Sequence, residues 1–338
     1  MNPAAASKLV VKGGLDEIAE AVRENQKFLL TTHEGPDGDA LGSVLGMHHL
    51  LESLGKDSVM FLAAKEFPLP IEYRHLPLEG VFHEAPADIS DRIVIFLDCG
   101  NIDRMPVDFL RDGGKLVVNI DHHHDNTEFG DLNFVDAGAS CTAEIIYELA
   151  VLLDVKVSPA MARALYIGIV TDTGKFMYDA TKARTHRVAA ELIDAGVDVD
   201  DVNRRLYESV PIEKLRLLSR ALDKLEIHCA GALIVTYIDD EDYRATEAGE
   251  EMTEGIIDNL RAVDRIRVAA VIRDQVSRGR AARKISLRAG DDHTDVSVLA
   301  RKFGGGGHVR AAGCSTELGF DEIVGELCDG LAAQPLPS

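Results

Sequence analysis

Acidic and histidine residues stand at the ends of apolar segments in the first half of the chain. The segments FLLTTH, RIVIFLD and KLVVNID end in His33, Asp98 and Asp121, and Asp37 and Asp39 follow the first of them. Carboxylate and imidazole groups are suitable ligands for divalent cations, and pairs of such cations hydrolyse phosphate esters. These residue types therefore predict a two-metal hydrolytic centre.

Two later segments add candidate ligands. The run DHHHDN contains His122, His123 and His124, and GIVTDTGKF contains Asp172. Four carboxylates would carry a negative charge that two divalent cations balance, those of Asp37, Asp39, Asp98 and Asp172. Any one of these residues alone is as readily a helix cap, a turn residue or a packing residue. Their joint placement at segment ends is what favours a site.

The elements that must position these residues alternate between strand and helix, which predicts an α/β protein. We predict an N-terminal parallel-sheet domain with helices on both faces, a helical connector, and a smaller C-terminal α/β domain with a mixed sheet. Strands are expected at 28–32, 59–63, 92–97 and 115–120, and helices at 39–54, 141–153, 159–170 and 181–195. The carboxyl ends of parallel strands share one edge of a sheet, where ligands bind.

The strand and helix pattern restarts in the second half of the chain. Strands are predicted at 232–238, 268–273 and 284–288, and helices at 212–225, 252–262 and 296–303. We assign 1–215 to a catalytic domain that binds two metals, 216–230 to the connector and 231–338 to a substrate-binding domain. The run Gly304–Gly307 lies in a basic stretch and predicts an anion-binding nest, with a flexible linker as the alternative.

Composition restricts the partners. The net charge of -21 disfavours proteins that track long nucleic acids, although residues 267–310 carry ten Lys/Arg against four Asp/Glu, a local charge of +6. No signal or membrane-spanning pattern is seen, so we expect a cytoplasmic protein with no membrane partner. Five cysteines without a C-x-x-C pair are predicted to be reduced packing residues. The oligomeric state is left open, with a homodimer as one option.

The motifs resemble those of a known family. HEGPDGDALGS, the Asp98 segment, DHHHDN and GIVTDTGKF resemble the ordered motifs of the DHH phosphoesterase superfamily. KISLRAGDDHTDVSVLARKF followed by GGGGHVRAAG resembles the DHH-associated C-terminal domain. The similarity runs from about Phe28 to Gly313, and the two-domain layout is most similar to the NrnA-type enzymes. It implies hydrolysis of short oligoribonucleotides (nanoRNA and linear dinucleotides) to mononucleotides, and of 3'-phosphoadenosine 5'-phosphate (pAp) to AMP.

The resemblance also implies a role for each matching residue. Two divalent ions are expected, Mn²⁺ first, with Mg²⁺ or Co²⁺ as alternatives; the metal ligands would be His33, Asp37, Asp39, Asp98, His122 and Asp172. Asp98 would bridge the ions, and His123 would face the phosphate as the second catalytic residue. The remaining substrate-binding residues would be Asn126, Arg104, Arg288, Gly305, Gly306, Gly307 and His308. The third consecutive histidine, His124, departs from the motif and leaves open which histidine is the ligand.

Other functions share these motifs. A phosphodiesterase for cyclic dinucleotides of the c-di-AMP type would differ only in the shape of its substrate pocket. A pyrophosphatase would need a related metal site but no nucleotide pocket. A non-catalytic nucleotide-binding sensor would keep the metal ligands and bind without hydrolysis.

Overall fold

The chain divides into two compact units, Met1–Ser209 and Val210–Ser338. The computed structural model describes residues 11–12, 14–275, 282–307 and 309–334. In this part of the chain, no helix is both long enough and apolar enough to cross a bilayer. The assignment of catalysis to one domain and substrate binding to the other stays a prediction.

The first unit is built on a parallel sheet. Its described strands are β1 (Val11–Lys12), β2 (Lys27–Thr31), β3 (Asp57–Met60), β4 (Ile93–Leu97), β5 (Leu116–Asp121) and β6 (Leu132–Val135). They are ordered β1-β6-β5-β4-β2-β3, and every neighbouring pair runs parallel. The predicted parallel sheet is confirmed.

Helices cover both faces of this sheet. They are α1 (Leu15–Glu24), α2 (Gly38–Ser53), α3 (Asp108–Asp112), α4 (Thr142–Leu152), α5 (Pro159–Asp172), α6 (Ala183–Asp194) and α7 (Val199–Asn203). Alternate residues of β4 point to opposite faces: Ile95 joins the core that contains α2, α4 and α5, whereas Phe96 packs in a cluster with Leu110 of α3. Burial on both faces explains why β4 is apolar at every position.

Helices α2 and α5 approach each other through their backbones. A methyl group at Gly42 would lie 2.5 Å from the carbonyl oxygen of Ala164 and 2.8 Å from the backbone nitrogen of Gly168. Only glycine allows this approach without displacement of the helices. Because α2 starts beside Asp37 and Asp39, and α5 ends at Asp172, this packing brings the carboxylates of the two helices together.

The second unit contains a mixed sheet. Its elements are α8 (Ile212–Asp223), β7 (Glu226–His228), β8 (Leu233–Ile238), α9 (Asp240–Thr246), α10 (Ile256–Arg261), β9 (Val268–Asp274), β10 (Arg283–Ala289), α11 (Val296–Lys302), β11 (Gly306–Gly307), β12 (Ala311–Thr316) and α12 (Phe320–Ala332). The strand order is β11-β12-β10-β9-β8-β7, with β8 and β9 parallel and the other neighbours antiparallel. The predicted mixed sheet is confirmed.

One helix predicted in the second unit is shorter than expected, and the prediction that all the cysteines are reduced is wrong. The helix expected at 252–262 is a 3-10 turn, Glu250–Thr253, followed by α10, because Gly255 adopts a φ of +83° between them. The five cysteines are not all reduced, since Cys229 and Cys328 form a disulfide across a sequence separation of 99 residues. Spacing along the chain does not reveal this pair because the fold alone brings the two cysteines together. Cys99, Cys141 and Cys314 are free and buried.

Candidate metal centre

The site lies at the topological switch point of the sheet. In the sheet, β3 lies on one side of β2 and β4 lies on the other, and β5 follows next to β4. Ligands bind beyond the carboxyl ends of strands at such a point. His33 follows β2 by two residues, Asp98 directly follows β4, and Asp121 is the last residue of β5.

Three groups of candidate ligands meet there. Within each group the ligand atoms lie within 4.8 Å of one another, and the groups are His33, Asp37 and Asp98; Asp39, His122 and Asp172; and Asp98, Asp121, His122 and His123. Asp98 and His122 each belong to two groups. The structure therefore brings together the side chains of all six residues predicted as metal ligands.

Asp98 lies at the centre of this arrangement. Its Oδ2 is 3.7 Å from Nε2 of His33, while its Oδ1 is 3.5 Å from Nε2 of His122. Burial raises the pKa of Asp98, but the interactions with the nearby imidazoles of His122 and His33 outweigh it and hold this pKa well below its usual range. One oxygen faces each group, which is the geometry that a bridging carboxylate requires.

The other carboxylates crowd around Asp98. Burial, together with the charge of Asp98, raises the pKa of Asp39 well above its usual value. Burial also raises the pKa of Asp172 to about 7, although His122 opposes the shift. Asp37 is the N-cap of α2, and its Oδ1 accepts hydrogen bonds from the backbone of Asp39 and Ala40. Acidic side chains that repel one another in this way, interleaved with imidazoles, fit a site for divalent cations.

Asp121 organises the DHHHDN run. Its Oδ1 accepts hydrogen bonds from the backbone nitrogen of His122 (2.8 Å) and from Nδ1 of His123 (2.7 Å). Nδ2 of Asn126 donates to Oδ2 of Asp121 and to Oδ1 of Asn119. Asn126 thus supports the loop from inside. The sequence motif contained Asp121 but did not reveal this orienting contact.

His124 differs from the two preceding histidines. His122 and His123 are half-buried, whereas His124 is exposed. Among the described residues, His124 belongs to none of the candidate metal-binding groups. Of the three histidines, His122 and His123 therefore lie among the candidate ligands, and His124 does not.

Arg104 lies beside the His33 turn. Its backbone oxygen accepts a hydrogen bond of 2.8 Å from the nitrogen of Glu34, and its side chain is exposed. This contact fixes the turn that follows His33. Contact of the Arg104 side chain with a phosphate stays a prediction.

The remaining predicted substrate residues lie in the second unit. Arg288 of β10 is half-buried and lines a small pocket with Arg273 and Ser286. Gly306 and Gly307 form β11, which pairs with β12, and a methyl group at Gly305 would lie 2.2 Å from the carbonyl oxygen of Gly313. The glycines therefore allow a tight hairpin whether or not they bind an anion. His308 lies outside the described residues.

Comparison with known proteins agrees with this geometry. The model of the DHH family, N-terminal domain, matches residues 27–169. A bifunctional oligoribonuclease and PAP phosphatase NrnA of Thermus thermophilus is 31% identical over 290 residues, which is 85% of this chain and 83% of the relative. The protein of the same name from Bacillus subtilis is 28% identical, with 88% of this chain and 92% of the relative covered.

Solved structures share the fold. An exopolyphosphatase-related protein from Bacteroides fragilis superposes with a TM-score of 0.84 at 22% identity, covering 94% of this chain and 95% of that one. Exonuclease RecJ bound to manganese gives a TM-score of 0.56 at 17% identity, covering 98% and 97%. The fold and the acid-histidine cluster are those of a metal-dependent phosphoesterase. The chain belongs to the DHH family.

Proposed function

We propose that this protein hydrolyses short oligoribonucleotides to mononucleotides and converts pAp to AMP. The observation that carries the proposal is the convergence of His33, Asp98, His122 and Asp172 at the carboxyl edge of the sheet. The relatives from Thermus thermophilus and Bacillus subtilis, named for both activities, support this choice of substrate.

Two divalent cations would occupy the cluster. His33 and Asp37 would hold one ion. The other ion would be held by Asp39, His122 and Asp172, and Asp98 would contact both ions. Mn²⁺ is proposed because mixed carboxylate and imidazole ligands suit it and because a protein of the same fold binds manganese. Bound there, the cations would lower the pKa of water and offset negative charge on the phosphate.

His123 would act on the substrate directly. Its Nδ1 donates to Asp121, so Nε2 would be the atom that meets a phosphate. Burial lowers the pKa of His123, but the hydrogen bond to Asp121 outweighs it, and the net pKa is raised. A protonated His123 would hydrogen-bond a phosphoryl oxygen or give its proton to the leaving oxygen.

The second unit would supply a phosphate-binding element. Arg288 presents a guanidinium group in a pocket that Arg273 and Glu254 also line. The glycine hairpin offers backbone N–H groups in the same sheet, with β12 between β11 and β10, the strand that carries Arg288. Together they would bind a terminal phosphate of a short substrate.

A substrate panel tests the proposal. Hydrolysis of pAp, linear dinucleotides, cyclic dinucleotides and pyrophosphate would be measured with and without Mn²⁺. We expect turnover of pAp and linear dinucleotides that depends on the metal. Faster turnover of cyclic dinucleotides or of pyrophosphate would reassign the enzyme, and binding without turnover would make it a sensor.

A further inference from the structure

The N-terminus of α4 joins two of the clustered carboxylates. Thr142, the first residue of α4, is fully buried. Its backbone nitrogen donates to Oδ2 of Asp39 at 2.7 Å, and its hydroxyl donates to Oδ1 of Asp98 at 3.2 Å. One residue therefore contacts a carboxylate from α2 and another from the end of β4.

These contacts limit how the two carboxylates rotate. The terminal torsion of an aspartate has a broad energy well, so its oxygens need partners to stay in one orientation. For Asp39, Oδ1 also accepts hydrogen bonds from the nitrogen of Ala143 (2.9 Å) and from the hydroxyl of Ser43 (3.2 Å). Among the described residues, the Thr142 hydroxyl is the side-chain donor to Asp98 that is not a histidine of the cluster.

The hydroxyl acts on one oxygen of Asp98. A carboxylate oxygen has two lone pairs, and the Thr142 hydroxyl occupies one of those on Oδ1. The other lone pair of Oδ1 stays available for a cation on the side of His122. The second oxygen, Oδ2, stays available for a cation on the side of His33. Loss of the hydroxyl would let the Asp98 carboxylate turn toward either histidine.

We propose that Thr142 is a positioning residue, whose hydroxyl holds Asp98 in the orientation needed to bridge two cations. The inference rests on the proposed two-metal function and adds a residue that does not itself contact metal or substrate. Groups that orient metal ligands in this way typically change metal affinity or activity by about 10- to 100-fold when removed.

Three substitutions separate the hydroxyl from the bulk of the side chain. Thr142→Val keeps the size and loses the hydroxyl, Thr142→Ala loses both, and Thr142→Ser keeps the hydroxyl and loses the methyl group. Mn²⁺ binding would be measured by calorimetry, and kcat and KM with a linear dinucleotide. We expect Thr142→Val and Thr142→Ala to bind Mn²⁺ about 10- to 100-fold more weakly, with a lower kcat and an unchanged KM. Thr142→Ser should match the unchanged protein.

A matched control lies in the second unit. Thr236 is also fully buried, and its hydroxyl donates to the backbone oxygen of Ala221. Thr236→Val should lower the unfolding temperature but leave Mn²⁺ binding and kcat unaltered. Thermal unfolding verifies that each variant is folded. If Thr142→Val does not fold, the Mn²⁺ affinity of Thr142→Ala shows whether loss of the hydroxyl weakens metal binding.

The possible outcomes distinguish failure of the positioning role of Thr142 from failure of the proposed two-metal function. If Mn²⁺ affinity follows side-chain size, so that Thr142→Val binds normally and Thr142→Ser binds weakly, the positioning role is overturned and Thr142 only packs. Equal affinity in all variants overturns it as well. If the unchanged protein itself does not bind two Mn²⁺ ions, the proposed two-metal function fails, and with it the inference.

Discussion

Asp98 combines a left-handed backbone with a buried carboxylate. Its φ is +54°, a conformation that asparagine and aspartate adopt more readily than other non-glycine residues. Asp98→Asn therefore tests the charge without strain from the backbone. We expect it to fold and to lower kcat by about 100-fold or more, because a neutral amide cannot bridge two cations. Steady-state kinetics with Mn²⁺ is the measurement.

The chain offers a matched control for this substitution. Asp154 has a φ of +55° and an exposed side chain. Asp154→Asn should leave kcat unchanged. Activity of Asp98→Asn close to that of the unchanged protein would reject Asp98 as the bridging ligand.

The three consecutive histidines are expected to differ in function. His122→Ala should weaken Mn²⁺ binding by more than about 100-fold, since loss of a ligand costs more than loss of a group that orients one. His124→Ala should leave Mn²⁺ binding and turnover unaltered because His124 is exposed and outside the cluster. Calorimetric titration with Mn²⁺ distinguishes the two. The reverse result would show that the ligand is His124, two positions after His122.

Sequence patterns revealed the candidate ligands but not their supports. His33 and Asp98 stand at the ends of apolar strands, so the fold class alone predicts that they meet. Thr142 contacts Asp98 across 44 positions in the sequence, and a threonine at a helix start has ordinary local reasons to be there. Only the packed structure shows that this hydroxyl contacts the carboxylate of Asp98.

At the scale of elements, the backbone contact between α2 and α5 sets the spacing of the carboxylates. Gly42→Ala would force these helices apart, since the added methyl group meets backbone atoms of α5. We expect a loss of about 1–3 kcal/mol in the free energy of unfolding and weaker Mn²⁺ binding. Chemical denaturation and calorimetry measure the two effects.

Gly325 in α12 is the matched control for Gly42. A methyl group there meets no atom within 4 Å, so Gly325→Ala should stabilise the protein by up to about 1 kcal/mol. Unaltered Mn²⁺ affinity in Gly42→Ala, despite a loss of stability, would mean that the helix spacing does not control the site.

The strength of local patterns decided which elements were predictable. The strands β2, β4 and β5 are continuous apolar runs, and their predicted positions agree with the structure within one or two residues. The strand β12, with the sequence AAGCST, was not predicted because alanine and glycine have low strand propensity. It is held by pairing with β10 and β11, which is non-local information.

At the scale of the whole molecule, we propose that substrate binding and chemistry belong to different units. Arg288→Ala should raise KM for linear dinucleotides about 10- to 100-fold, the effect of losing one charge-assisted hydrogen bond, with kcat nearly unchanged. Arg244→Ala on α9 is the control, since Arg244 is exposed and pairs with Asp240 of the same helix. A collapse of kcat with an unchanged KM would contradict this division of roles.

Net charge predicts selectivity for short substrates. A charge of -21 repels a long RNA more strongly than a dinucleotide, and salt screens this repulsion. The preference for a dinucleotide over a long oligoribonucleotide should therefore decrease as ionic strength rises, which competition kinetics would measure. A preference that does not respond to salt would be steric in origin.

The order of the clustered donors along the chain bears on protein synthesis. They run from His33 to Asp172, and the last of them closes α5. A ribosome must therefore translate the chain as far as Asp172 before the complete set exists. Nascent or prematurely terminated chains that stop short of Asp172 would lack the full set, so we expect a nuclease with this layout to be inert toward RNA until most of its first unit has been made.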